Sequence, residues 1–112
     1  MPQINELVKE CHRNAKEKGF WEDIEALDKD FNDALYTNAI TTRLALIQSE
    51  VSEAVESLRE SNIDNFFEEL ADICIRVFDL AGHFEEDLDL EDEILVKMLK
   101  NKKRPYKHGK KF

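Results

Sequence analysis

Residues 66–78 read FFEELADICIRVF, and the fold turns on how that stretch is interpreted. Phe66, Leu70, Ile73 and Val77 recur at helical spacing, and Phe67, Cys74, Ile75 and Phe78 extend the apolar surface most of the way round. A helix that is apolar on several sides is packed on several sides. Yet Glu69, Asp72 and Arg76 follow one another at spacings of three and four along it, and Asp79 and His83 continue the line. A charged stripe on an inside helix must be paired, bound to a cation, or facing a wet cavity.

Working outward, the chain of 112 residues contains three glycines and two prolines and has no stretch of alternating polar and apolar residues. That argues for an all-α chain of one domain. A helix is expected from about Ile4 to Lys18, ended by Gly19. A connector with some helical potential, FWEDIEALDKDFNDALYTN, follows. A second helix is expected from Asn38 as its cap to about Glu60, and a third from about Asn65 to Phe84 after the turn SNID. Asp89 caps a fourth that runs to about Lys102, before Pro105. On the second helix Ile40, Leu44, Ile47, Val51, Val55 and Leu58 form an apolar stripe. Glu50 flanks the stripe, and Glu53 lies nearly opposite it.

Charge is uneven. The net charge is −9, but residues 97–112 hold 8 of the 16 basic residues and no acid, so the first 96 carry a balance of −17. Such a body repels a phosphate backbone, which disfavours a nucleic-acid polymer as partner. No apolar run is long enough to cross a membrane, and MPQINELVKECH lacks the features of a signal peptide. Cys11 and Cys74 form neither a zinc spacing nor a disulfide framework, which favours a reduced, cytoplasmic setting.

Glu50 and Glu53 stand three apart, as do Glu69 and Asp72, on helices made antiparallel neighbours by a short turn. Glu53 lies eight residues before Ser61 and Glu69 eight after it, so the two pairs sit at nearly equal heights. Taken singly, each pair reads as solvated, with Arg76 forming a helical ion pair with Asp72. Together, four converging carboxylates need a hard divalent cation, Mg²⁺ or Mn²⁺ rather than zinc. Only Arg43, Arg59 and Arg76 are basic between Asn38 and Asp92, too few to neutralise the acids there. Two alternatives fail. DKDFND opens like a calcium loop but has Asp33 in place of the glycine and Ala39 in place of the bidentate glutamate. A di-iron bundle needs Glu three residues before His, and none of His12, His83 or His108 has it.

Glu50-x-x-Glu53, a 15-residue spacer and Glu69-x-x-Asp72, set within LIQSEVSEAVESL and EELADICIRVFDLA, resemble the signature of the MazG-type all-α nucleoside triphosphate pyrophosphohydrolases. The opening CHRNAKEKGFW and the tail NKKRPYKHGKK are similar to the first helix and C-terminal segment of small stand-alone members, so the resemblance spans nearly the whole chain. One departure is Ser49, where many members carry a further Glu. The resemblance implies a four-to-five-helix bundle completed by dimerisation, as a homodimer or a dimer of dimers. It implies that Glu50, Glu53, Glu69 and Asp72 hold Mg²⁺, with Mn²⁺ as a substitute. It also implies hydrolysis of a nucleoside triphosphate to monophosphate and pyrophosphate, in nucleotide-pool control.

Around that site, Lys97, Asn101, Arg104, His108 and Lys111 are candidate phosphate contacts, or else members of a solubilising tail. Trp21 and Phe20 either stack on a base or cap the bundle end. Arg76 and Asp79 are placed to hold the ligands, with Arg76 also a candidate substrate contact. His83 reads as a structural hydrogen-bonding residue. Glu56 and Glu68 read as solvated. The competing reading is a non-catalytic helical dimerisation or binding module, with its acids paired across the interface.

Overall fold

Asn62 starts the central helix: its side-chain oxygen accepts from the Asn65 amide at 3.1 Å, satisfying a donor left free in the first turn. A computed structural model describes residues 3–27 and 33–109, apart from the His108 side chain. Those residues form α1 (Ile4–Glu17), α2 (Glu22–Glu25), α3 (Asp33–Arg59), α4 (Ile63–His83) and α5 (Leu90–Lys102), then a 3₁₀ turn at Tyr106–Gly109. No strand occurs among the described residues, and no helix there is long and apolar enough to cross a membrane. The chain is all-α, as its composition suggests.

Two helix ends share one chemistry. At the end of α1, Gly19 takes φ 85°, its amide donates to the Lys16 carbonyl, and the Phe20 amide donates to the Ala15 carbonyl. At the end of α3, Ser61 takes φ 58°, with the Ser61 and Asn62 amides donating to Leu58 and Ser57 carbonyls. Both are left-handed caps that satisfy the last free carbonyls. Asp89 caps α5 as expected, accepting from the Asp92 amide at 3.0 Å. Its oxygen also takes Asn5 Nδ2 at 2.8 Å, and Glu91 accepts the Ile4 amide at 2.8 Å, which ties the starts of α1 and α5 together.

One expectation is corrected. Asn38 does not cap the second helix: α3 already spans Asp33, and Asn38 lies inside it. Ala34 and Leu35 are strong helix formers, and Tyr36 reaches His83 on α4 at 2.7 Å, so tertiary contact holds the extra turn. The connector contains a short helix, α2; the calcium-like DKDFND falls largely on residues 28–32, outside the described ones.

α4 lies between α3 and α1, which accounts for its many apolar sides. Gly82 lets α1 approach: a Cβ there would stand 2.4 Å from His12 Cβ and 3.2 Å from the Val8 carbonyl oxygen. The interior is small. Among the described residues, Val8, Trp21 and Ala54 are the buried apolar side chains, with Ser57 the buried polar one. The expected apolar stripe of the second helix is split. Ile40 and Ile47 turn inward, but Leu44, Val51, Val55 and Leu58 are all 45–50% exposed. The side chains of α3 that bond to α4 are instead Tyr36, Glu50 and Ser57.

On α4, Ile63, Phe67, Leu70 and Cys74 are exposed as well. At about 100° per residue, the exposed set on α3 lies roughly a third of a turn from Glu50 and Ser57, and the set on α4 lies nearly opposite Asn65 and Arg76. Because the helices are antiparallel, the two sets share one side of the hairpin, away from α1. The total surface is 9043 Å² and the radius of gyration 16.8 Å. A compact monomer of this mass has about 6400 Å² and about 13 Å.

Candidate metal centre and adjoining cleft

The α3–α4 hairpin brings three of the four expected carboxylates together. One oxygen from each of Glu50, Glu69 and Asp72 lies within 4.8 Å of the others. Glu53, one turn from Glu50 on the exposed side of α3, stands outside this trio but close enough to act on Glu69. Arg76 does not form the helical ion pair with Asp72. Its Nε donates to Glu50 Oε1 at 3.1 Å, across to the other helix.

The electrostatics follow from that crowding. The Glu50 carboxyl beside it, burial, and the charge of Glu53 push the Glu69 carboxyl up to about 7. Burial alone would raise Glu50, but hydrogen bonding with Glu69 and the Arg76 guanidinium outweigh it and hold Glu50 below its usual value. Of the two facing carboxyls, Glu69 is the one that holds a proton more readily. Once Glu69 is ionised, its Oε2 is buried with no donor from the protein. An all-oxygen donor set with an orphaned buried acceptor suits a hard divalent cation, which supplies the missing positive charge.

Glu50, Asp72 and Arg76 form one end of a cleft of about 560 Å³ between α1, α3 and α4. Asn14, Lys18, Phe20 and Asp79 line it as well, Asp79 two turns along α4 from Asp72. Arg43 anchors that wall. It donates to both Asp23 oxygens at 2.7 and 3.2 Å, to the Phe20 carbonyl at 2.8 Å and to the Ala39 carbonyl at 2.8 Å, and its guanidinium lies 3.9 Å over the Trp21 ring. The guanidinium holds the Asp23 carboxyl below its usual value. Behind this wall Trp21 is 2% exposed, stacked on His83 at 4.7 Å, with Nε1 donating to Asp79 Oδ1 at 2.8 Å. His12 Nδ1 meets the same oxygen at 2.9 Å. Burial lowers the His83 imidazole below its ordinary value, and His83 makes the structural hydrogen bond expected of it, to Tyr36.

The remaining candidates scatter. Trp21 is part of the wall, whereas its neighbour Phe20, 71% exposed, lines the cleft itself. Lys97 and Asn101 on α5, and Arg104 beyond it, are exposed and line no part of the cleft. His108 falls in the 3₁₀ turn, and Lys111 lies outside the described residues.

Sequence reasoning missed Arg43. A signal was present: Tyr36, Arg43, Glu50 and Ser57 recur every seven residues, a polar line on the very face that meets α4. Compared with protein-family models, curated proteins and solved structures, the chain finds no match.

Proposed function

We propose that the protein is a Mg²⁺-dependent nucleoside triphosphate pyrophosphohydrolase acting in nucleotide-pool control. The observation that carries this reading is the convergence of Glu50, Glu69 and Asp72 within 4.8 Å, with Glu50 and Asp72 lining a cleft of about 560 Å³. The MazG-like spacing of the acids points the same way. A drug-sized ligand needs a cleft of this order.

In this reading Glu50, Glu69 and Asp72 hold Mg²⁺, or Mn²⁺ in its place, with Glu53 completing the site from the exposed side. The ion, when bound, neutralises the triphosphate and lowers the pKa of a coordinated water. The protein's own part is positioning. The hairpin fixes the carboxylates, Arg76 orients Glu50, and a carboxylate oxygen free of the metal accepts the proton of the attacking water. Attack at the α-phosphorus forms one P–O bond and breaks the α–β bridge, releasing monophosphate and pyrophosphate.

The working unit is a homodimer, alone or paired as a dimer of dimers. Leu44, Val51, Val55 and Leu58 on α3 and Ile63, Phe67 and Leu70 on α4 are 37–63% exposed in the single chain, apolar surface that a second copy would cover. The apolar side of the α3–α4 hairpin is the natural contact, because it lies away from the cleft. The alternative, a helical module without catalysis, is favoured by one observation: Arg76 already supplies Glu50 with an internal countercharge.

Pyrophosphate release from a panel of nucleoside triphosphates, with and without Mg²⁺, separates the two. The expected result is metal-dependent pyrophosphate and monophosphate, reduced at least about 100-fold by Asp72→Ala with helicity retained. A folded protein that binds no divalent cation and yields no pyrophosphate would establish the binding module instead.

A further inference from the structure

Beyond the carboxylates the cleft continues along α4 to Asp79, seven residues from Asp72 and therefore about 10.5 Å further along the helix axis. Asp79 is firmly held. Its Oδ1 takes Trp21 Nε1 at 2.8 Å and His12 Nδ1 at 2.9 Å, and Trp21 is itself clamped between Arg43 and His83. A carboxylate oxygen accepts, so both ring nitrogens carry the hydrogen in these contacts. Among the described residues the other oxygen, Oδ2, has no hydrogen-bond partner and is not among the sealed, unpartnered atoms, although the side chain is only 20% exposed. A fixed carboxylate therefore presents one spare acceptor in a cleft that Phe20, 71% exposed, also lines.

We propose that this end of the cleft receives the nucleobase, and that Asp79 selects bases that carry an exocyclic amine (cytosine, adenine and guanine) over uracil and thymine, which have none. The inference rests on the carboxylate trio being the triphosphate end. A flat apolar ring such as Phe20 stacks on any base, so it adds affinity without choice. Choice comes from the acceptor. The cytosine amine donates to Asp79 Oδ2, whereas uracil and thymine carry a carbonyl at that position, which sets two acceptors face to face and leaves both unpaired. The tether to Trp21 and His12 stops the carboxylate from turning away to relieve the conflict. Sites built to hydrogen-bond a ligand group discriminate sharply against analogues that lack it.

The test is calorimetric binding of dCMP, dAMP, dGMP, dUMP and dTMP to the full chain and to Asp79→Asn. It is run beside pyrophosphate release from the matching triphosphates with Mg²⁺. An asparagine keeps an acceptor for Trp21 and turns an amide donor toward the base. Wild type should bind the amine-bearing monophosphates at least about tenfold more tightly than dUMP and dTMP. In the variant the ratio should fall to near one or invert. Equal or tighter binding of dUMP and dTMP by wild type would overturn the inference, whether or not the variant folds. So would failure of every monophosphate to bind at millimolar concentration. Pyrophosphate released at equal rates from all five triphosphates would refute the base selection while leaving the hydrolase reading intact. No release from any would remove the hydrolase reading itself.

Discussion

Replacing Gly82 by alanine sets two effects of opposite sign against each other. In an isolated helix the change stabilises by about 1 kcal/mol, because alanine loses less backbone entropy. Here the added Cβ would stand 2.4 Å from His12 Cβ, 2.7 Å from His12 Cγ and 3.2 Å from the Val8 carbonyl oxygen. His12 Cβ and the Val8 oxygen are fixed by the backbone of α1, so no rotamer change relieves them. Restoring ordinary carbon contact requires α1 and α4 to separate by roughly 1 Å. Overpacking of this kind costs about 1–3 kcal/mol, and a backbone-to-backbone clash belongs at the upper end. The net expectation is a loss of about 2 kcal/mol, or roughly 8 °C in Tm for a domain of this size. The separation would also stretch the 2.9 Å contact between His12 and Asp79 and open the cleft. Urea and thermal unfolding followed by helical circular dichroism give the sign directly. The double variant His12→Gly, Gly82→Ala removes the clashing Cβ, so its cycle should show favourable coupling between the two sites. If Gly82→Ala alone raised stability by about 1 kcal/mol, the close packing of α1 on α4 would be refuted.

Three further outcomes follow from other parts of the molecule. Val55→Lys with Phe67→Lys places charge on the apolar side of the hairpin, where these residues are 45% and 63% exposed; sedimentation should show a self-associating wild type and a monomeric variant, and a monomeric wild type would refute the interface. Glu69, whose carboxyl is pushed up to about 7, is protonated when folded and ionised when unfolded between its usual value of 4.5 and about 7, so without metal Tm should fall as pH rises through that window. Glu69→Gln should flatten this dependence and Mg²⁺ should offset it; a Tm that rises across the window would overturn the assignment. Ser61 holds φ 58° at the α3 cap, so Ser61→Gly should raise stability by about 0.5–1 kcal/mol in chemical unfolding, and a loss would show that the serine side chain is needed there.

Helix ends were legible in the sequence wherever a residue's local chemistry decides them. Gly19 and Asp89 mark their boundaries because a left-handed cap and an acceptor for free amides are short-range requirements. Asn38 misled, since an amide that can cap can also ride inside a helix when a distant contact, Tyr36 to His83, extends it. The candidate site was legible in part. Spacing around a turn brings Glu50, Glu69 and Asp72 to one height, and a hairpin of helices then has little freedom to separate them. Periodicity could not say which apolar face the chain covers by itself. Leu44, Val51, Val55 and Leu58 are as regular as the inward line, yet the side chains of α3 that bond to α4 are Tyr36, Glu50 and Ser57. The cleft was hidden because its walls come from α1 and α4, which the sequence separates by more than forty residues, and nothing local announces that His12 meets Asp79.

The charged stripe of α4 and the exposed apolar side of the hairpin have a common physical origin. An inward line that carries Arg43, Glu50 and Ser57 cannot also supply the apolar burial that usually holds two helices together. The burial is displaced to the next face, where Leu44, Val51, Val55 and Leu58 meet water within a single chain. Each such side chain contributes about 1.5–3 kcal/mol when fully buried, so covering that face on both helices would add stability on the order of an entire small domain's. The three buried apolar residues among those described supply little of that, while the carboxyls of Glu50 and Glu69 crowd each other inside the hairpin with Glu53 acting from its exposed side. Self-association and cation binding would therefore stabilise the same two helices from opposite sides. Each should tighten the other, because a hairpin already held by one needs less ordering to accept the second.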